Sequence, residues 1–278
     1  MQIAETLKQA VTELQHFDTA KLDAEVLLSH CLCCDRSYFY AHPEVEIETA
    51  QYNQFQDLIK QRAIGRPVAY LVGRKEFWSL EFLVSPDTLI PRPETECLVE
   101  MALAKINRHD HYHILDLGTG TGAIAISIAK ERQNITIMAT DKNEAALIIA
   151  KKNASRLDVN NIFFQQAVWF DFKTDQQFDF ILSNPPYIDI NDPNLQTGDI
   201  RFENRQALIA EDNGLADLKT IIRESVHYLK ASGWVMLEHG YEQGEAVRQF
   251  FCQYSFQNIE TINDYAGHER ITIAQHIN

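Results

Sequence analysis

The run Phe178-Asp179-Phe180-Ile181-Leu182-Ser183, which leads straight into Asn184-Pro185-Pro186-Tyr187, constrains the fold more than any other stretch. It is short, rich in aliphatic and aromatic side chains, and ends at a hard stop. That combination predicts a strand buried within a parallel sheet. Two consecutive prolines have no N–H to donate and both fix φ, so the ladder ends at Ser183. The loop beyond is therefore stiff, and it stands at the carboxyl end of a strand, where open α/β sheets bind ligands.

Such a loop suits capture of a planar –NH2 group. The Asn184 side-chain carbonyl and the Pro185 main-chain carbonyl can each accept a hydrogen bond. Proline leaves its carbonyl free, and the rigid turn can aim it. The Tyr187 ring offers a flat face on which a conjugated amide or a nucleobase can stack. On these four residues alone, a merely stiff turn is the competing reading.

From residue 113 onward strands and helices alternate. Strands are expected at His113 to Leu117, Ile135 to Thr140, Ile162 to Gln166, Phe178 to Ser183 and Trp234 to Glu238, with two closing strands at Gln257 to Ile262 and Arg270 to Ala274. Helices are expected at Ala123 to Glu131, Glu144 to Arg156, Leu215 to Leu229 and Gly244 to Phe251. This pattern predicts a doubly wound, Rossmann-like α/β domain.

Asp116-Leu117-Gly118-Thr119-Gly120-Thr121-Gly122 follows the first of these strands and opens a helix. Glycines there let the backbone turn tightly and a ligand approach closely. The spacing also satisfies a dinucleotide pattern through Ala123, so the glycines do not choose between nicotinamide and another nucleoside. Asp141 ends the second strand, where an acid bonds ribose hydroxyls.

The first 74 residues read as a helical domain. Ile3, Leu7, Ala10, Val11 and Leu14 share one helical face; Leu22, Val26, Leu27 and Cys31 repeat the pattern, and Phe55, Leu58, Ile59 and Arg62 mark another helix. Residues 75–90 contain an alternating stretch, Lys75 to Val84, expected to be a β-hairpin linker, and residues 91–278 form the α/β domain. Pro93, Glu94 and Glu96 suit the first turn of a helix running through Leu103.

The formal net charge is −14, and an acidic surface repels phosphate backbones, so nucleic acid is not the expected partner. No run is apolar enough for a membrane span, and the N-terminus lacks the marks of a signal peptide. Cys31, Cys33 and Cys34 crowd too closely for a disulfide framework, which fits a reducing cytoplasm. With His30 they lack a second ligand pair at zinc-like spacing, so no metal is expected.

A glycine turn after the first strand, an acid after the second and Asn-Pro-Pro-Tyr after the fourth would line one crevice. Together they resemble the amino methyltransferases that use S-adenosylmethionine. The strings LIPRPETE, ILDLGTGTGAIAI, SNPPYI and GDIRFE narrow the resemblance to the release factor glutamine methyltransferases, over nearly the whole chain. The family has a class I S-adenosylmethionine methyltransferase domain preceded by a small helical domain and a hairpin.

The resemblance implies roles for particular residues. Gly118, Thr119, Gly120, Thr121 and Gly122 would wrap the methionine part of the cofactor, and Asp141 would hold its ribose. Trp169 would lie beside the adenine. Asn184, Pro185, Pro186 and Tyr187 would bind a glutamine side chain, with Asn184 also near the sulfonium. One position departs from the family: the residue before Trp169 is commonly acidic and here is Val168, which would remove an acceptor for the adenine amino group. Whether Asp171 replaces it stays open in the sequence.

The implied partner is a peptide chain release factor whose Gly-Gly-Gln loop enters the crevice of a monomeric enzyme, while the helical domain grips a second surface. The competing activity is adenine-N6 methylation of DNA or RNA, which presents a similar amino group but wants a basic groove. Glu238 and His239 read either as a general base or as a structural strand end, and Arg201, Phe202 and Glu203 either as the far wall of the substrate loop or as solvated loop.

Overall fold

The computed structural model describes residues 1–277. The chain folds as two compact units, Met1–Arg74 with Gln196–Phe202, and Lys75–Leu195 with Glu203–Asn278.

The smaller unit carries helices Ile3–Glu13, Ala20–Leu32, Ser37–Ala41, Thr49–Ala63 and Val68–Val72. Ile3, Ala10, Leu14, Leu27, Leu28, Phe55 and Ile59 close its core. The second helix turns differently from the expected register: Leu22 faces solvent, and Ala24, Leu27, Leu28 and Cys31 face inward. Arg62 is buried, yet its charge is matched. It pairs with Asp23 at 2.7 Å and Asp199 at 2.6 Å, and its guanidinium lies 3.9 Å from the Phe17 ring centre. Cys33 caps the second helix in the left-handed region at φ 52°, so His30 and the cysteines belong to a helix end.

The hairpin β1 (Arg74–Phe77) and β2 (Leu80–Leu83) follows, all but Arg74 in the larger unit, turned by Trp78 and Ser79, both at positive φ as a two-residue turn requires. Seven further strands make one sheet: β3 (His113–Leu117), β4 (Thr136–Asp141), β5 (Ile162–Gln166), β6 (Phe178–Ser183), β7 (Leu229–Glu238), β8 (Gln257–Asn263) and β9 (Glu269–Gln275). Their order is β5-β4-β3-β6-β7-β9-β8, parallel up to β7 and antiparallel through β9 and β8. Side chains alternate across the sheet, so neighbours serve opposite faces. Ile114, Ile137, Phe180 and Met236 pack with Leu98, Ile124 and Ile128 on one side. Leu115, Ile181, Val235 and Leu237 pack with Leu218, Ile222 and Phe251 on the other. Burial on both faces is why these strands read as unbroken apolar runs.

The chain winds outward from β3 in one direction through β4 and β5, then returns to β6 and winds the other way. A crevice opens at that switch, at the carboxyl ends of β3 and β6. Ser183 Oγ donates to Leu117 O at 2.7 Å and locks the two strand ends together. Strand β7 starts five residues before the expected Trp234, because it stays paired with β6 across an irregularity at Ser232 (φ 65°) and Gly233, residues that read locally as a turn. Asn153, fully buried on helix Glu144–Arg156, exchanges hydrogen bonds with both main-chain groups of Leu83 and donates to Thr121 O. The hairpin is thereby tied to the glycine turn.

Candidate active site

Gly118, Gly120 and Gly122 hold φ of 72°, 56° and 82°, a succession that only glycine adopts without strain. A Cβ on Gly122 would stand 2.7 Å from Ile126 Cδ1, while one on Gly120 would project into open space. The turn is internally satisfied. The N–H groups of Gly118 and Thr119 donate to Thr140 O, that of Gly120 to Asp141 Oδ2, and that of Gly122 to Thr119 O. Four of its five N–H groups therefore have acceptors already, which leaves a poor nest for a pyrophosphate and a good floor for a close apolar approach. The dinucleotide alternative loses its physical basis here.

Around this turn lies a cleft with about 960 Å³ of empty space, its open mouth included. Its wall includes Gly118 to Thr121, Asp141, Val168, Trp169, Asn184 and Pro186, with Leu89, Pro91, Arg92 and Thr95 from the LIPRPETE string. Asp141 accepts from Gly120 N through one oxygen and from Asn143 N through the other, which fixes its plane. Burial pushes its carboxyl up, against those two hydrogen bonds. Each oxygen retains a lone pair for a hydroxyl donor. Trp169 sits at φ 49°, its indole N–H held by Asp217 Oδ1 at 3.0 Å, and its ring edge meets the space beside Gly118. Val168 is 54% exposed in the cavity wall; Asp171 is exposed and outside it.

Asn184 is held from one end. Its Nδ2 donates to Thr95 Oγ1 at 3.0 Å, and Thr95 Oγ1 donates to Glu238 Oε2 at 2.7 Å. Among the described residues nothing donates to Asn184 Oδ1 or to Pro185 O. Tyr187 does not line the cavity; its hydroxyl donates to Glu238 Oε1 at 3.1 Å and its ring leans on the core. Pro185 is buried and also absent from the cavity wall. Gly214 (φ 81°) and Gln243 hold the loop after Tyr187, the first because any Cβ would run into the Tyr187 carbonyl oxygen, the second by donating to that oxygen at 2.9 Å.

Glu238 is 1% exposed at the end of β7, and burial pushes its carboxyl up to about 7 despite the hydrogen bonds from Thr95 and Tyr187. His239 takes no part in the crevice. Its Nδ1 meets Gly240 O at 2.9 Å, its Nε2 meets Thr272 Oγ1 at 2.8 Å, and burial holds it below the usual imidazole range. Glu203 is not a solvated loop residue: it is buried, pairs with Arg92 and accepts from Ile90 N at 3.2 Å. Arg201 instead donates to Ile64 O within the helical unit.

A family model for the PrmC N-terminal domain matches residues 5–73, and one for a methyltransferase domain matches residues 108–269. The release factor glutamine methyltransferase of Salmonella typhimurium is 47% identical over 266 residues, covering 96% of each chain. That of Escherichia coli is 45% identical over 276 residues, covering 99% of each. This chain belongs to the release factor glutamine methyltransferase family. Among solved structures, TYW2 of M. jannaschii in complex with AdoMet shares the fold of this family member at TM-score 0.50 and 14% identity, covering 73% of this chain and 84% of that one. Sequence reasoning about this release factor glutamine methyltransferase relative missed Thr95, Asn153 and Asp217 and left Glu238 undecided. Each acts through a partner far away in the chain, and only the polarity of Glu238 and Asp217 amid apolar neighbours signalled them.

Proposed function

We propose that this chain transfers a methyl group from S-adenosylmethionine to the side-chain amide nitrogen of the glutamine in the Gly-Gly-Gln loop of peptide chain release factors. The observation that carries this reading is Asn184, whose nitrogen is pinned to Thr95 while its oxygen has no protein donor beside the glycine-lined cavity. S-adenosylmethionine supplies an electrophilic methyl carbon on a sulfonium and leaves as S-adenosylhomocysteine. The self-satisfied glycine turn and the spare lone pairs of Asp141 fit such a group. Gly118, Thr119, Gly120, Thr121 and Gly122 hold its methionine part, Asp141 its ribose hydroxyls and Trp169 the adenine flank.

An amide nitrogen is a weak nucleophile because its lone pair is delocalised. Asn184 Oδ1 accepts an amide hydrogen of the glutamine, and its partial charge matches the positive charge that grows on nitrogen as the methyl arrives, while Pro185, buried and outside the cavity wall, stiffens the loop behind it. Pro186, in the cavity wall, limits the tilt of the amide plane, and Tyr187 holds the loop from outside the cavity through its hydroxyl on Glu238, which keeps nitrogen in line with the carbon it attacks. No general base is needed, since the proton can leave after transfer. The family supports a protein substrate and the acidic surface disfavours a nucleic acid; we infer a cytoplasmic monomer, with the helical unit as a second grip on the release factor.

The test is mass spectrometry of a purified release factor incubated with the full chain and S-adenosylmethionine. A single methyl on the glutamine of Gly-Gly-Gln is expected, with a DNA duplex unmodified. For Asn184→Ala the rate should drop about 100-fold or more, as for loss of one preorganised polar group at a reacting centre. Unmodified glutamine, or methylated adenine, overturns the reading.

A further inference from the structure

A carboxamide has two ends of similar shape and opposite polarity, and only its oxygen is useful to a substrate –NH2 group. Something must therefore decide which end of Asn184 faces the crevice. We propose that Glu238 and Thr95 are positioning residues that set this choice, through a one-way chain of hydrogen bonds ending on a carboxylate. The inference rests on the role given to Asn184 above and adds the device that orients it.

The argument is one of proton counting. An ionised carboxylate only accepts, so Glu238 Oε2 takes the single hydroxyl proton of Thr95 at 2.7 Å. Thr95 Oγ1 then has only lone pairs left to offer. Whatever meets it at 3.0 Å must donate, and Asn184 can do so only with Nδ2. Oδ1 is left for the crevice. The other carboxylate oxygen accepts from Tyr187 OH, so one buried group fixes residues on both sides of the two prolines. Were Glu238 to carry a proton towards Thr95, the hydroxyl could accept it and turn its own proton to Asn184. The amide would then flip and set its –NH2 against that of the substrate.

Burial lifts the Glu238 carboxyl into the working pH range, so the chain has a pH at which it loses its direction. The groups facing Glu238 are Thr95 and Glu94 from the LIPRPETE turn, Cys97 on the following helix, Tyr187 from the loop after β6, and Arg270 on β9. Arg270 favours the charged form and Glu94 opposes it.

The experiment compares the wild-type chain, Thr95→Val, Thr95→Ser and Glu238→Gln, with purified release factor and S-adenosylmethionine. It measures kcat, cofactor affinity, thermal midpoint, and kcat from pH 6 to 8.5. Valine keeps the shape and removes the relay, so kcat should fall about tenfold or more with cofactor affinity within about threefold, and serine should restore most of the rate. Wild-type kcat should rise with pH through a midpoint near 7, and Glu238→Gln should lose that limb whichever way its amide lies. The proposal is overturned if Thr95→Val keeps kcat within about threefold, if its loss follows thermal instability without rescue by serine, or if the limb is absent from wild type or survives in Glu238→Gln. Failure of the functional reading looks different: the wild type itself leaves the glutamine unmethylated.

Discussion

Trp169 shows how one residue is kept in a costly state for the sake of a site. A bulky side chain at φ 49° is strained, and nothing in the local sequence asks for it. The indole N–H is tethered by Asp217 Oδ1 at 3.0 Å, and that carboxyl is pushed up by burial even though the tether lowers it. Ring position, rather than ring area, is what Asp217 supplies. Asp217→Ala should therefore weaken S-adenosylmethionine binding by about three- to tenfold, one charge-assisted hydrogen bond's worth, while stability changes by less than about 1 kcal/mol because the strained turn relaxes. Calorimetric titration and a urea melt read the two effects separately; unchanged affinity would mean that Trp169 does not flank the ligand. Val168, its neighbour, offers no acceptor, and Asp171 lies outside the wall, so the tether matters more here than it would beside an acid.

At the scale of elements, most of the larger unit could be read from the sequence, since apolar runs of strand length bounded by turn residues dictate β3 to β6 almost residue by residue. The exceptions have physical causes. Strand β7 hid its first half because Ser232-Gly233 resembles a turn, and only pairing with β6 overrides it. The hairpin was visible as a hairpin but not as part of the site, because its anchor is Asn153, 70 residues away. Likewise the Thr95–Glu238 bond spans 143 residues, a separation at which no sequence pattern operates. Asn153→Ala would remove the Asn153 partner from half-buried Leu83 N and Leu83 O and from buried Thr121 O. It should cost roughly 2–4 kcal/mol and speed hydrogen exchange at the Leu83 amide, measured by denaturant titration and exchange mass spectrometry. If the exchange rate is unchanged, water replaces the side chain and the hairpin does not depend on it.

Across the whole molecule, the buried acids that hold the site's residues tie stability to pH. Burial raises Asp116 and Glu238, each to about 7, and raises Asp141 and Asp217 as well. For such a group the folded state binds its proton more tightly than the unfolded chain. Its stabilisation is complete below the unfolded pKa and drains away as pH rises to the folded one. For Asp116 the window runs from its ordinary value of 3.8 to about 7. His239 acts in the opposite sense: its pKa is depressed from 6.5 by burial, so it destabilises as pH falls below that value. Comparing one variant with wild type cancels that opposing contribution. Asp116 is the cleaner choice, since it is fully buried, Oδ2 accepts from Thr119 Oγ1 at 2.6 Å, and burial outweighs the lowering by Thr119 and by the nearby Ala125 amide. Asparagine keeps the bond from Thr119 and cannot ionise. Between pH 5 and pH 8 the wild type should lose roughly 2–3 kcal/mol of unfolding free energy that Asp116→Asn does not lose. Urea denaturation at the two pH values measures it, and parallel behaviour of the two proteins would place the ionisation elsewhere.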